Sequence, residues 1–427
     1  MKILVVGSGG REHALAWHLL GEGVQVLVAP GNAGISETAE VPVTDVDGLV
    51  GLAQRERVDL TIVGPETPLA LGLVDVFAVQ GLAAFGPTRG AARLEWSKAW
   101  TKDFLRRRGI PTGAAEVVES ESGARDVVER LGLPVVLKAD GLAAGKGVFV
   151  ALTEGALEDA LDQLFRRKTM GGAAEQVLVE EFLEGPELSV LAFTDGERFA
   201  LMPPARDYKR LRDGDLGPNT GGMGGYARPG YATREVLDDI EARVLEPTLA
   251  GMAAEGQAYR GVLYTQVMLT RDGPRVIEFN CRFGDPECQL IMPLLQSRLS
   301  DVCAGVVSGQ FRPDEIRWHV GRTCGVVLAA PGYPEAPRLG GAIAGLADVS
   351  EDVLVFHAGT RRDHDGRLVT SGGRVLSVVG FERDAVYAAA KAIRFDGKQF
   401  RGDIGTELEP LSPPRERAHT SLLRGGR

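Results

Sequence analysis

Cysteine is scarce. The 427-residue chain has four, Cys281, Cys288, Cys303 and Cys324, and no C-x-x-C pair among them. A disulfide framework is excluded, and a reducing compartment, the cytoplasm, is the expected setting. Long apolar runs are also missing: nothing approaches the ~18 residues that suggest a membrane span. Only four apolar residues in a row follow Lys2, too few for the core of a secretory signal. Basic charge is not in excess, with 48 Lys+Arg against 58 Asp+Glu and a net charge of −10. Such a surface repels phosphate backbones, so neither nucleic acid nor membrane is an expected partner. With 56 Gly and 23 Pro the chain stays below the roughly 25–30% of these residues that marks low complexity. No internal repeat is visible.

Lysine is the informative shortage. Lys2, Lys98, Lys102, Lys138, Lys146, Lys168, Lys209, Lys391 and Lys398 are all there are. A chain that defaults to arginine keeps lysine where a compact ammonium matters. Four of the nine stand in glycine-rich or otherwise unusual segments, and those four draw attention.

At roughly 100–200 residues per domain, the length suggests two to four domains. Lys2–Val6, Val24–Ala29 and Leu60–Val63 read as strands, each ending in a glycine-containing turn. Strands alternating with helical patterns indicate a parallel α/β sheet, whose ligands bind beyond the carboxyl ends of the strands. A helical pattern covers Ser97–Arg108. Val135–Leu137, Val177–Phe182 and Leu188–Phe193 read as further strands, and Tyr264–Leu269 with Val276–Asn280 as a hairpin. Leu216–Tyr226 has no periodicity and reads as an ordered loop. From Cys324 the texture changes to short strands, read as a small C-terminal domain with a frayed tail at Ser412–Arg427. The expected divisions are 1–102, 103–323 with a smaller lobe near 119–192, and 324–427.

Several motifs carry chemistry. Gly7-Ser8-Gly9-Gly10-Arg11-Glu12 follows a strand, but the dinucleotide fingerprint needs glycine where Glu12 stands. A tight turn and an anion site at a helix N-terminus both remain open, the second favoured. Lys138–Val148 (KADGLAAGKGV) has three glycines between and after two lysines. It is not a Walker A loop, because its spacing is wrong and Gly147 follows Lys146. It reads as a phosphate cradle. After the strand ending near Glu180, backbone at Phe182 could meet an adenine edge, and Glu187 could accept from ribose hydroxyls. The glycine-rich Asn219–Gly225 segment, long for a connector, reads as functional. Glu278 and Asn280 alternate with apolar residues and so share one strand face. Two oxygen ligands at that spacing suit Mg²⁺ completed by phosphates and waters, although an E-x-N alone is an ordinary strand. Arg282 can fork onto a carboxylate or phosphate.

Taken in order, these segments resemble the phosphoribosylamine–glycine ligase (glycinamide ribonucleotide synthetase) family of ATP-grasp enzymes. The resemblance runs from about Met1 to about Leu411. It rests on GSGGREHA at Gly7–Ala14, PGNAG at Pro30–Gly34, VGPETPL at Val63–Leu69, FGPT at Phe85–Thr88 and Ser97-Lys98. KADGLAAGKGV, GPNTGGMG at Gly217–Gly224, EFNCRFGDPE at Glu278–Glu287, HAGT at His357–Thr360 and GGRVL at Gly372–Leu376 complete it. It implies an N-terminal parallel α/β domain, a two-lobed ATP-grasp and a small C-terminal domain. It implies ligation of glycine to 5-phosphoribosylamine through glycyl phosphate, with ATP as co-substrate and Mg²⁺ or Mn²⁺ as cofactor, by a cytoplasmic monomer of purine biosynthesis.

The resemblance also implies roles. Lys98, Lys138, Gly145, Lys146 and Gly147 meet ATP phosphates, while Glu180, Phe182 and Glu187 hold adenine and ribose. Glu278 and Asn280 hold metal. Asp207, Lys209 and Arg282, with Lys146, serve catalysis and frame the glycine and ribosylamine end. Gly10, Asn32, Gly34 and Glu66 contribute substrate contacts from the N-terminal domain. The chain departs from many members at Arg206 and Tyr208, where they read Gln and His, and at Thr265-Gln266, where they read Ala-Gly. The competing readings are another ATP-grasp carboxylate–amine ligase, a nicotinamide-dependent oxidoreductase, and an ATP-binding regulator without catalysis.

Overall fold

The computed structural model describes residues 1–141, 147–169 and 171–408. Gly145, Lys146 and the tail beyond 408 lie outside them.

The N-terminal sheet has the order Gln25–Pro30, Lys2–Gly7, Leu60–Val63, Ala84–Phe85, all parallel. Its first strand explains its own composition. Ile3 and Val5 face one core with Ala14 and Leu15, and Leu4 and Val6 face another with Leu49, Leu52 and Phe77. A strand covered on both faces needs an unbroken apolar run rather than an alternating one.

A second, antiparallel sheet of four strands has the order Ala115–Val118, Val177–Glu181, Val135–Ala139, Val148–Ala151. It has a core of its own, built with the Glu121–Leu131 helix. That helix turns Ala124, Val127 and Val128 inward at i, i+3 and i+4 and is capped by Ser120, which accepts from Gly123 N. A separate core is what makes this segment a lobe.

The third sheet is antiparallel and runs Gly273–Asn280, Gly261–Thr270, Glu187–Thr194, Ala205–Asp207, Gly224–Ala227, Cys324–Ala329, Arg374–Gly380, Val353–His357. The C-terminal domain therefore continues the large lobe's sheet, through pairing of Tyr226 with Cys324 and Gly224 with Val326. This crossing also corrects the reading of Leu216–Tyr226 as a loop. Leu216–Asn219 pairs with Arg210–Arg212, and Gly224–Ala227 is a central strand. The glycines hid it. At Gly224, φ is +124° and a Cβ would sit 2.3 Å from the carbonyl oxygen of Gly325, so close strand contact has replaced the usual side-chain alternation. Among the described residues, no helix is long and apolar enough to cross a membrane.

Candidate active site

The three sheets enclose a cavity of about 900 Å³. Its walls collect Lys98, Lys138, Gly147, Glu180, Phe182, Glu187, Asp207, Lys209, Glu278, Asn280, Arg282 and Glu66, which sequence reasoning had named from separate motifs.

One end is built on the Lys98–Arg108 helix. Ser97 caps it, and Asp140 accepts from Ala99 N at 2.6 Å. This ties the helix start to the end of the Val135–Ala139 strand and points Lys98 and Lys102, one turn apart, into the cavity. Lys138 is 4% exposed. Its ammonium lies 2.8 Å from Glu180 Oε2 and donates to the carbonyl of Ile277 at 3.3 Å. Lys102 pairs with Glu180 Oε1 at 3.3 Å, yet that oxygen accepts no hydrogen bond of good geometry. Burial lowers the pKa of both Lys98 and Lys102, against the pull of Glu278 and Glu180 respectively.

Lys209 lies among carboxylates. Burial alone would lower its pKa, but Glu187, Glu278, Asp207 and Glu287 hold its ammonium above the ordinary lysine range. Asp207 shows the reverse: burial, then the neighbouring Glu287 charge, raise its pKa well above the usual carboxylate value. Its Oδ1 is buried without a hydrogen-bond partner among the described residues. The space beside it exists because Gly222 has no side chain; a Cβ there would sit 2.7 Å from that oxygen. Glu287 is engaged instead, accepting from Tyr264 Oη at 2.6 Å and Ser189 Oγ at 3.1 Å.

Glu278 makes no side-chain hydrogen bond among the described residues. Burial works against its charge, but Lys209, Lys138, Lys98 and Arg282 outweigh it and keep the carboxylate below its usual pKa. Asn280 presents Oδ1 to the same side and accepts from Arg282 at 3.0 Å, which leaves it a second lone pair. An anionic carboxylate without a hydrogen bond next to an amide oxygen is a donor set that fits a hard divalent cation.

The Arg282 guanidinium is engaged by carboxylates of the chain itself. Its Nε meets Glu66 Oε2 at 3.1 Å, and one terminal nitrogen lies 3.2 Å from Glu95 Oε1. Glu66 is thereby held below its usual pKa against burial. Glu95, more deeply buried, is pushed up to about 7 despite Arg282. Arg282 therefore organises two carboxylates at the N-terminal end of the cavity.

Gly10, Asn32 and Gly34 do not line the cavity. A Cβ on Gly10 would meet the Gln289 side chain at 2.5 Å, and one on Gly34 would meet His357 and His13. Asn32 donates to the carbonyls of Ser8 and His357 at 2.9 and 2.8 Å, stapling the first and last domains together. The favoured anion site at the Gly10–Gly21 helix is also met from within: Glu12 folds back to accept from Gly9 N at 2.6 Å.

Other lining residues had escaped sequence reasoning. Lys102 follows Lys98 at i+4 on the Lys98–Arg108 helix, a spacing that could have found it, while Glu95 stands on the separate Arg93–Trp96 helix before the extended Ser97. Arg11 and Arg374 stand inside motifs already noted. Arg11 donates to the carbonyl of Phe283 at 3.1 Å, and Arg374 to that of Asp285 at 2.7 Å. Both bring guanidinium groups to the cavity from domains far apart in the chain.

Three family models match: phosphoribosylglycinamide synthetase N domain over residues 1–95, ATP-grasp (A) domain over 96–288 and C domain over 323–407. A protein of Ralstonia nicotianae named phosphoribosylamine–glycine ligase is 46% identical over 417 residues, 95% of this chain and 99% of its own. One of the same name from Caulobacter vibrioides is 46% identical over 418 residues, 95% and 98% of the two chains. The crystal structure of phosphoribosylamine–glycine ligase from Thermotoga maritima superposes with a TM-score of 0.81 at 35% identity, covering 95% of this chain and 100% of that one.

Proposed function

The chain belongs to the phosphoribosylglycinamide synthetase family, and from that premise we propose that it joins glycine to 5-phosphoribosylamine at the expense of ATP. The products are glycinamide ribonucleotide, ADP and phosphate. The observation that carries this reading is the convergence in one cavity of the Lys138–Glu180 pair, the Glu278–Asn280 oxygens and cations from all three matched domains.

In this reading Lys98 and Lys138, with Lys146 from the sequence, bring ammonium groups to the triphosphate. Glu180 and the backbone near Phe182 receive adenine, and Glu187 receives ribose. Glu278 and Asn280 would hold Mg²⁺ or Mn²⁺, which would supply neutralisation of phosphate charge. Positioning and charge neutralisation account for most of the acceleration in phosphoryl transfer.

The glycine carboxylate attacks the γ-phosphoryl group, and ADP leaves. The ribosylamine nitrogen then attacks the acyl carbon of glycyl phosphate and phosphate departs. The proton lost by that nitrogen passes to Asp207, whose Oδ1 has no hydrogen-bond partner among the described residues. Lys209 balances the charge beside it. Arg282, with Glu66 and Glu95, orders the end of the cavity where glycine and ribosylamine meet. Arg11 and Arg374 supply positive charge there for the ribosyl phosphate. Closure of the cavity keeps water from the acyl phosphate.

Isotope transfer tests the reaction. Glycine labelled with ¹⁸O in its carboxylate must deliver one labelled oxygen to the released phosphate, with ADP equal to product. Unlabelled phosphate, or AMP and pyrophosphate, would refute the acyl phosphate route.

A further inference from the structure

Gln266 stands in the wall of the cavity. It is 2% exposed and lies in the Gly261–Thr270 strand, which pairs with a neighbour on each side. Its cross-strand neighbours are Glu278 and Ser189, and Glu187 lies two residues before Ser189 on the same face. The Gln266 amide donates from Nε2 to Glu187 Oε2 at 2.8 Å. Lys209 reaches the same oxygen from the other side, at 3.3 Å.

We propose that Gln266 is a ribose-specificity residue, a positioning group whose amide aims the Glu187 carboxylate at the vicinal hydroxyls of the bound nucleotide. The proposal rests on the reading of Glu187 as the ribose acceptor.

Three observations carry it. Both donors converge on Oε2, so Oε1 of Glu187 has no hydrogen-bond partner among the described residues and is the oxygen left for a ligand. The two donors also differ in what they can hold. Lys209 is a point charge on a flexible four-carbon stem and tolerates many carboxylate orientations. Gln266 has a planar amide on a doubly paired strand, and the direction of its N–H bond selects one orientation. The Glu187 backbone is fixed as well, since its carbonyl accepts from Tyr231 Oη at 2.7 Å. With backbone and carboxylate both held before the nucleotide arrives, the ordering cost of the ribose contact is lowered in advance. A glycine at 266 has no donor to offer.

The test is the ratio of kcat/KM for ATP to that for 2′-deoxy-ATP and 3′-deoxy-ATP, measured on the full chain with glycine and phosphoribosylamine saturating. In Gln266→Ala and Gln266→Gly the KM for ATP should rise about tenfold, the size of one charge-assisted hydrogen bond's discrimination. The ATP-to-deoxy ratio should fall toward one, and kcat should change far less than KM. Glu187→Ala is measured alongside. A ratio that collapses in Glu187→Ala but stays at the wild-type value in both Gln266 variants overturns the role of Gln266 and leaves Glu187 as the ribose acceptor. A ratio unmoved in all three refutes the Glu187 reading itself. Equal losses for ATP and both deoxy nucleotides in the Gln266 variants would mark the residue as structural and also overturn the proposal. Should Gln266→Ala not fold, Gln266→Asn, which keeps the amide but falls a methylene short of Glu187, reads the same ratio.

Discussion

Replacing Glu95 with glutamine removes a charge while preserving shape. In the folded chain this carboxyl, its side chain 9% exposed, accepts from Cys281 N at 2.7 Å and lies 3.2 Å from Arg282. Burial, opposed by Arg282 and reinforced by Glu66, raises its pKa from 4.5 to about 7. The unfolded chain releases this proton near 4.5 and the folded chain near 7, so between those values the folded state binds more protons. Stability contributed by the protonated form is therefore lost as pH rises through that window. At about 1.36 kcal/mol per unit, the full loss is about 3 kcal/mol, of which about 1.4 kcal/mol falls between pH 6 and pH 8.5. Glu95→Gln has no such loss. Relative to wild type, the variant should gain about 1.4 kcal/mol on going from pH 6 to pH 8.5. Urea unfolding followed by tryptophan fluorescence measures this, since Trp96 and Trp100 flank the site. Taking the difference between the two proteins cancels every other titrating group. Stability curves that run parallel across this range would refute the argument and show that Glu95 ionises as it would in water.

Glu278→Gln should cut kcat on the order of 10²-fold and shift the Mg²⁺ titration to higher concentration, as loss of one electrostatic stabiliser does; a wild-type metal titration would exclude Glu278 as a ligand. Arg282→Lys keeps the charge but cannot span Glu66, Glu95 and Asn280 together, so kcat/KM for glycine or phosphoribosylamine should fall more than that for ATP, and equal losses would point to a purely structural role. Tyr208→Phe deletes a hydroxyl that meets both oxygens of Glu407, at 2.8 and 3.0 Å. Because the Glu407 side chain is 39% exposed, the loss should be about 1–2 kcal/mol, at the lower end for a charged acceptor. In a double-mutant cycle with Glu407→Gln the two losses should be non-additive, and simple additivity would show that the contact is not made.

The same Tyr208 shows how far a motif carries. Its place between Asp207 and Lys209 was visible. Its partner was not. Arg206 and Tyr226 also reach Glu407, and the guanidinium carbons of Arg206 and Arg401 each lie 4.6 Å from the Tyr208 ring centre. These contacts join the large lobe to residues nearly two hundred positions later, and no local pattern encodes such a distance.

What the amino-acid order determined by itself is the part governed by neighbours in the chain. The unbroken run at Ile3–Val6 dictates a strand buried on both faces, the turn at Arg271-Asp272-Gly273 dictates a hairpin, and alternation puts Glu278 and Asn280 on one side. The ordered motifs were specific enough to name the family and several residues of the cavity wall. Tertiary structure alone decided the rest, because it depends on pairings between distant segments. It made the glycine-rich Gly224–Ala227 a central strand, since backbone contact with Gly325 replaces side-chain patterning there. It packed Gly10, Asn32 and Gly34 against His357, Gln289 and His13, which arrive from elsewhere in the chain. It brought Arg11 and Arg374 to the same cavity, since their donors are oriented by the carbonyls of Phe283 and Asp285. A side chain's type is written in the sequence, but its direction is set by whichever distant backbone accepts its hydrogen bonds.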